Sequence, residues 1–396
     1  MLSKRAASLK PSPTLAISAK EKALKAQGVD IAGFGAGEPD FDTPSHVKEA
    51  AIKAINDNFT HYTPVTGIDP LKDAIIEKFK RDNALAYKRE EVIVSCGGKH
   101  GLYNLFQVMF QEGDEVIVPI PYWVSYPPMI ELAGAKPVLV ETNEDDDYQI
   151  TPDLLKRHLT PKTKAIILNY PSNPVGSVFY RENLEAIGKL AVEKDFFLIS
   201  DEIYESLVYD DYKHVSIASL DGSFKEKTII CHGVSKTYAM TGWRIGYSAG
   251  PADIIKAMGN IQSQSTSNPT SISQMAALAA LNGSQEFISV MLTEFKKRKD
   301  FLVKSLREIE GVTCYDPKGA FYVFPNFHSI LGKRYKDRIV DSSTTFTEIL
   351  LDEFHTAVVP GVEFGKEGYL RLSFATSMDI IEKGVERIKK AVASLT

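Results

Sequence analysis

Between residues 91 and 250, apolar runs of strand length alternate with segments of helical periodicity, and few folds accommodate that alternation. Glu91 to Cys96 reads as a buried strand, followed by a glycine pair and a helical run from Lys99 to Phe110. A turn at Glu112-Gly113-Asp114 leads into a strand from Glu115 to Pro119. Lys164 to Asn169 reads as a strand entering a proline-rich loop, before a helix from Arg181 to Lys194 and a strand from Phe196 to Ser200. Two further strand-like runs, Thr228 to Gly233 and Ile245 to Gly250, flank a loop. Repeated β-α-β units of this kind build a mostly parallel sheet with helices on both faces.

Upstream, Asp69-Pro70 predicts a helix start, with Asp69 as cap, Pro70 in the first turn and Leu71, Ile75 and Phe79 on one face. Beyond Gly283 the pattern changes. A long amphipathic segment from Glu286 to Ile309 ends at Gly311 and reads as a helix joining two domains. Short strands follow (Gly319 to Pro325, Tyr369 to Phe374), then a closing helix with Ile381, Val385, Ile388 and Val392 on one face. The predicted class is therefore α/β: a large domain with a mostly parallel sheet of the seven-stranded type, plus a smaller α+β domain. The expected boundaries are 1–45 for an N-terminal arm and part of the small domain, 46–285 for the large domain, and 286–396 for the joining helix and the rest of the small domain. The acidic run Glu144 to Asp147 reads as a solvated turn.

Bulk properties narrow the function. A 396-residue chain with 44% apolar and 24% charged residues is of ordinary globular composition. Its net charge of −5 offers no electrostatic case for nucleic acid or an anionic membrane, so an anionic substrate must be held by a few local cations. Cys96, Cys231 and Cys314 are sparse and unpaired in sequence, which argues against structural zinc or a disulfide frame and fits the cytoplasm. No apolar run approaches the roughly 20 residues that span a bilayer. Lys4, Arg5 and Lys10 read as a flexible basic tip, an organelle transit peptide being the other reading.

In an open α/β sheet, ligands bind at the carboxyl ends of the strands. Four strands here end in chemically pointed residues. Cys96-Gly97-Gly98-Lys99-His100 joins a strand to a helix N-terminus, where free N–H groups and the helix dipole favour an anion. Asn169-Tyr170-Pro171-Ser172-Asn173-Pro174 holds Asn173 extended before proline. Ser200-Asp201-Glu202-Ile203-Tyr204 places an aspartate directly after an apolar run, where a buried charge needs a partner. Ser235-Lys236 follows the fourth strand, with Arg244 beyond a Gly-Trp turn; a partly desolvated lysine attacks carbonyls, and an arginine beside it clamps anions. An anion nest, an amide, a carboxylate, a phenol and an amine at one sheet edge are what pyridoxal phosphate requires. Each motif alone has an ordinary structural explanation as a turn or a solvated loop; their combination does not.

At these residues the chain resembles the class I aminotransferases of the fold-type I pyridoxal-phosphate superfamily, and more narrowly the bacterial aspartate aminotransferases of subgroup Ib. The resemblance covers nearly the whole chain, from Pro11-Ser12-Pro13-Thr14-Leu15 to the last helix. Its motifs are Ala36-Gly37-Glu38-Pro39-Asp40-Phe41, His61-Tyr62-Thr63-Pro64, Gly97-Gly98-Lys99, Pro121-Tyr122-Trp123-Val124-Ser125-Tyr126-Pro127, Ser172-Asn173-Pro174, Ser200-Asp201-Glu202-Ile203-Tyr204, Ser235-Lys236, Met240-Thr241-Gly242-Trp243-Arg244 and Arg371-Leu372-Ser373. It implies that Lys236 joins the cofactor aldehyde and later shuttles a proton. Asp201 then pairs with the pyridine nitrogen, Asn173 and Tyr204 bond the phenolic oxygen, and Trp123 stacks on the ring. Gly98, Lys99, Ser235 and Arg244 hold the phosphate, with Tyr62 reaching the site of a neighbouring subunit, so a homodimer is implied. Arg371 grips the substrate α-carboxylate with Asn173 and the Gly37 backbone.

For the second carboxylate of a dicarboxylic substrate the resemblance implies Lys99. The expected reaction is ping-pong amino transfer between L-aspartate and 2-oxoglutarate. Thr14 with Lys99 matches relatives that also aminate prephenate, so prephenate or aromatic specificity stays open, as does a β-carbon–sulfur lyase on the same scaffold. A cofactor-binding regulator lacks an attached DNA-binding module, and a nucleotide-binding protein lacks its glycine fingerprint. Three positions depart from the family: Val175 replaces a usual threonine, Tyr170 a serine and Pro128 a glutamate. They are expected to affect loop shape and specificity.

Overall fold

The computed structural model describes residues 2–3, 6–7, 9 and 13–396, without the side chains of 13–16 and 18. The side chain of Thr14, and Lys4, Arg5 and Lys10 of the basic tip, therefore lie outside the described residues. A short strand, β1 (Ala32–Gly33), precedes the central sheet. Seven strands form that sheet: β2 (Val92–Ser95), β3 (Glu115–Ile120), β4 (Lys136–Glu141), β5 (Thr163–Asn169), β6 (Phe197–Asp201), β7 (Thr228–Gly233) and β8 (Gly246–Ala249). Their order is β2-β8-β7-β6-β5-β3-β4. Only β8 runs against its neighbours, pairing antiparallel with β2 and β7. The α/β class and the mostly parallel seven-stranded sheet are as the sequence pattern predicts.

Side chains alternate between the two faces with the strand period of two. Val116, Val118, Ile167 and Ile199 join one apolar cluster with Leu102, Leu105 and Phe106 of the helix Gly98–Met109. Ile117, Ile166, Leu168 and Leu198 face the other way, toward Leu184, Ile187 and Leu190 of the helix Arg181–Lys194. Both faces are covered, which is why these strands read as continuous apolar runs.

The register of the parallel strands places Asn169 beside Asp201 and Asp201 beside Cys231. Two chemically pointed strand ends, Asn169 and Asp201, thus terminate level with one another, and β7 runs two residues further toward Lys236. A second, three-stranded antiparallel sheet joins Val359–Pro360, Leu370–Ser373 and Tyr322–Val323. The helices Glu286–Arg307 and Met378–Ala393 pack on it through Phe295, Leu302, Ile381 and Ile388, and Phe34 shares that cluster. Ser373 donates its N–H to the Phe34 carbonyl at 2.9 Å, so the chain after β1 lies along the strand that carries Arg371.

Two expectations need correcting. Asp69 does not cap its helix: the cap position is Ile68, without a side-chain bond, and Asp69 instead pairs with Arg89 at 2.8 Å. The guanidinium is the stronger competitor for that carboxylate. The C-terminal strands are also shorter than the apolar runs that announced them, because only Tyr322–Val323 and Leu370–Ser373 find ladder partners.

Candidate active site

A cavity of ≈ 710 Å³ opens at the level strand ends and collects most of the sequence-predicted residues: Gly37, Gly98, Lys99, Trp123, Asn173, Asp201, Tyr204, Ser235, Lys236, Arg244 and Arg371. Tyr62 is not in its wall; it is 91% exposed on the protomer surface.

The helix Gly98–Met109 starts at the cavity with Gly97 at φ +88°, a conformation open to glycine. The guanidinium of Arg244 occupies the space a side chain at residue 97 would need. Gly246 is packed against the Gly97–Gly98 peptide just as closely. Arg244 itself adopts φ +59° and donates from Nη1 to the Thr241 carbonyl at 2.8 Å. The first turn of a helix, its N–H donors and an arginine are therefore held together, with Ser235 buried alongside. That is an anion cradle.

Asp201 lies at the end of β6, buried, accepting from the Tyr126 hydroxyl at 2.5 Å and the Ile203 N–H at 3.4 Å. Burial pushes its carboxyl up to about 6, and the Tyr126 hydrogen bond only partly opposes this. Lys236, five residues beyond the register partner of Asp201, donates to the Gly37 carbonyl. Burial of its amine pulls it down to about 8; Glu38 opposes that shift, and Arg371 and Arg244 add to it. The amine is thus far easier to deprotonate than an ordinary lysine.

Arg371 is buried on the small-sheet strand, donating to Asn173 Oδ1 at 3.1 Å and the Gly35 carbonyl at 2.9 Å. Its Nε is buried without a partner among the described residues. The guanidinium sits 4.6 Å from the Tyr322 ring centre, and the Tyr322 hydroxyl is 3.0 Å from that of Tyr204. Lys99 is exposed as a residue, yet its amine lies 4.9 Å over the Trp123 ring, where desolvation and then the charge of Arg244 lower its pKa. Trp123 packs edge-on to Tyr126 at 5.2 Å.

Sequence reasoning assigned no role to four wall residues. Tyr126 is the hydroxyl donor to Asp201, and Tyr322 lies between Arg371 and Tyr204. Asn169 accepts the Asn173 N–H at 2.9 Å, fixing its neighbour's loop. Glu38 accepts from Thr241 Oγ1 at 2.6 Å and so ties the Gly35–Glu38 loop to the Arg244 turn. The departures lie behind the wall. Val175 is buried with Tyr148 and Phe324. Tyr170 stacks on His214 at 5.1 Å and accepts from Ser200 and the Ile217 N–H. Pro128 is in the first turn of the helix Tyr126–Leu132.

The class I and II aminotransferase family model matches residues 29–388. The chain is 52% identical to the aspartate aminotransferase of Bacillus subtilis (strain 168), over 99% of this chain and 98% of that one. It is 48% identical to the aspartate/prephenate aminotransferase of Nitrosomonas europaea, over 98% of each. The crystal structure of the aspartate aminotransferase from Rhizobium meliloti superposes with a TM-score of 0.96 at 41% identity, over 100% of both chains. The Thermus thermophilus aspartate aminotransferase with maleate gives 0.93 at 44% identity, over 99% of each. With the cradle, the buried carboxylate and the softened lysine in one cavity, the chain belongs to the class I and II aminotransferase family.

Proposed function

We propose that the protein is a pyridoxal-phosphate aminotransferase moving the amino group between L-aspartate and 2-oxoglutarate, with a ping-pong order of substrates, and that it works as a homodimer in the cytoplasm. The observation that carries this is Arg371, a buried cation at the cavity wall whose Nε lacks a partner among the described residues and whose other nitrogens are aligned by Asn173 and Gly35. A planar guanidinium so held is built to take a carboxylate.

The residues present fit the cofactor. Asp201 is a buried carboxylate short of a counter-charge, which a protonated pyridine nitrogen supplies, and the Gly98 helix start with Arg244 and Ser235 suits its phosphate. Asn173 and Tyr204 are the donors for its phenolic oxygen, Trp123 the stacking face, and Lys236 the amine for its aldehyde. When bound, pyridoxal phosphate supplies an electron sink for the pair left at the substrate α-carbon. Arg371 then orients the α-carboxylate, so that Lys236 can take the α-proton with an amine poised near neutral pH. Asp201, in its anionic form, keeps a positive charge beneath the site. Lys99 is the cation for the second carboxylate, which favours dicarboxylic substrates.

Three features support the homodimer and the compartment. Ile52, Ile55 and Tyr62, close together in sequence, are large apolar residues 58%, 52% and 91% exposed, and a second copy would cover such side chains. Tyr62 then serves the neighbouring site. Three free cysteines fit a reducing cytoplasm, and no helix among the described residues is long and apolar enough to cross a membrane.

One spectrum tests the reading. The loaded protein should absorb visibly, bleach on adding aspartate and recover with 2-oxoglutarate, and borohydride should fix a stable adduct on the peptide bearing Lys236. No adduct there sinks the cofactor assignment, and no bleaching sinks the reaction.

A further inference from the structure

The helix Pro13–Ala26 contributes residues to the cavity wall. Ile17 and Leu24 pack against Ile31, Leu351 and Ala357, while Lys20 pairs with Asp352 at 2.8 Å outside. Those anchors bring Glu21, Lys22 and Lys25 into the cavity wall. Glu21 reaches over Gly33, filling the space a side chain there would need, and pairs with Lys25 at 2.7 Å. Lys22 has no carboxylate partner among the described residues, and it is exposed, so it stands where the cavity meets solvent.

The wall carries six cationic side chains against three carboxylates. Lys25 is neutralised by Glu21, and Lys99, Lys236, Arg244 and Arg371 have tasks in the proposed reaction. Lys22 is the surplus charge. The chain as a whole is at −5, which repels an anionic ligand at a distance, so a positive mouth reverses the sign of the field locally.

We propose that Lys22 is a specificity-determining cation that concentrates dianionic oxo acids and acidic amino acids at the cavity mouth by long-range attraction. It rests on the dicarboxylate reading above. A dianion gains twice as much as a monoanion from one potential, and a zwitterion without net charge gains nothing. The effect is therefore graded by ligand charge and removed by salt. Recognition by contact, as at Lys99, follows the position of a carboxylate instead and survives screening better.

The test uses holoenzyme carrying Lys22→Gln or Lys22→Glu, with the charge-neutral double variant Lys20→Gln/Asp352→Asn as the control on the same helix. Two quantities are measured: kcat/KM for 2-oxoglutarate, aspartate and phenylalanine, and the dissociation constant of maleate from its effect on visible absorption. At about 0.01 M ionic strength, where screening extends ~30 Å, Lys22→Gln should lose about threefold for 2-oxoglutarate and maleate, less for aspartate and nothing for phenylalanine. Lys22→Glu should lose about tenfold for the dianions, and both variants should converge on wild type near 1 M salt, where screening acts within ~3 Å. The double variant Lys20→Gln/Asp352→Asn, which removes an ion pair and no net charge, should show no grading. Equal losses for all ligands, or losses that persist in high salt, overturn the proposal and leave the aminotransferase reading intact. A wild-type enzyme with no preference for dicarboxylates overturns the substrate reading, and this inference with it.

Discussion

Buried with a phenol and one backbone N–H, Asp201 meets a cost in the cofactor-free protein that the cofactor's positive nitrogen would remove. Its carboxyl, raised from 3.8 to about 6, favours the neutral form in the folded state. The associated stability is complete below pH 3.8 and is lost as pH rises through 6. Cofactor-free Asp201→Asn should therefore be more stable than cofactor-free wild type at pH 8 by roughly 2–3 kcal/mol, seen as a higher unfolding temperature, and the gap should close toward pH 4. The loaded variant should show the opposite balance, with slower turnover, since an amide cannot hold a positive nitrogen. A thermal difference that stays constant from pH 4 to 8 would contradict the assigned cause. Lys99 supports a second residue-scale prediction. If Lys99 holds the second carboxylate as proposed, Lys99→Ala removes a charge-assisted contact worth about 1.5–3 kcal/mol, so KM for aspartate should rise roughly 10–100-fold while KM for an aromatic amino acid changes little. Equal changes in both would remove Lys99 from substrate choice.

At the scale of elements, the anion cradle depends on interlock between β2, β8 and the helix Gly98–Met109. Gly97 is at φ +88° and its missing side chain is replaced by the Arg244 guanidinium. Gly97→Ala both strains that backbone and displaces the arginine, a cost of about 1–3 kcal/mol. Cofactor affinity should fall roughly 5–100-fold, read by titrating cofactor-free protein, with the far-ultraviolet circular dichroism unchanged. Unaltered affinity would mean that the phosphate lies elsewhere. The strands that build this cradle were legible because burial on both faces makes them apolar throughout. β4 was not: it is a sheet-edge strand containing Pro137, with Leu139 44% exposed, and its pattern carries no buried run. The pointed residues at strand ends were legible for the same reason as the strands. Tyr126 and Tyr322 were not, since their bonds to Asp201 and Tyr204 span 75 and 118 residues of chain, and such pairings are set by how the sheets close. The cap at Asp69 failed because Arg89, 20 residues away, took its carboxylate.

At the scale of the whole molecule, one protomer is incomplete in the proposed reading. Its own cavity contains every assigned residue with a described side chain except Tyr62, which is 91% exposed, as Ile52 and Ile55 are also exposed. If each Tyr62 reaches the phosphate of the neighbouring site, its loss must be repairable from across the interface. A hydrogen bond to a charged group is worth about 1.5–3 kcal/mol, so Tyr62→Phe should weaken cofactor binding about 10–100-fold in the homodimer. Lys236→Ala should abolish turnover, whatever the state of Tyr62. In a hybrid of the two variants, the Tyr62→Phe subunit keeps its own Lys236 and receives an intact Tyr62 from its companion. One of the two sites is then wild type in every residue. The mixed population, resolved by differential tags, should therefore contain one site per dimer with native cofactor affinity and native turnover, although neither parent has such a site. If the only active site of the hybrid binds cofactor as weakly as the Tyr62→Phe homodimer, Tyr62 acts within its own subunit and the shared-site arrangement is wrong.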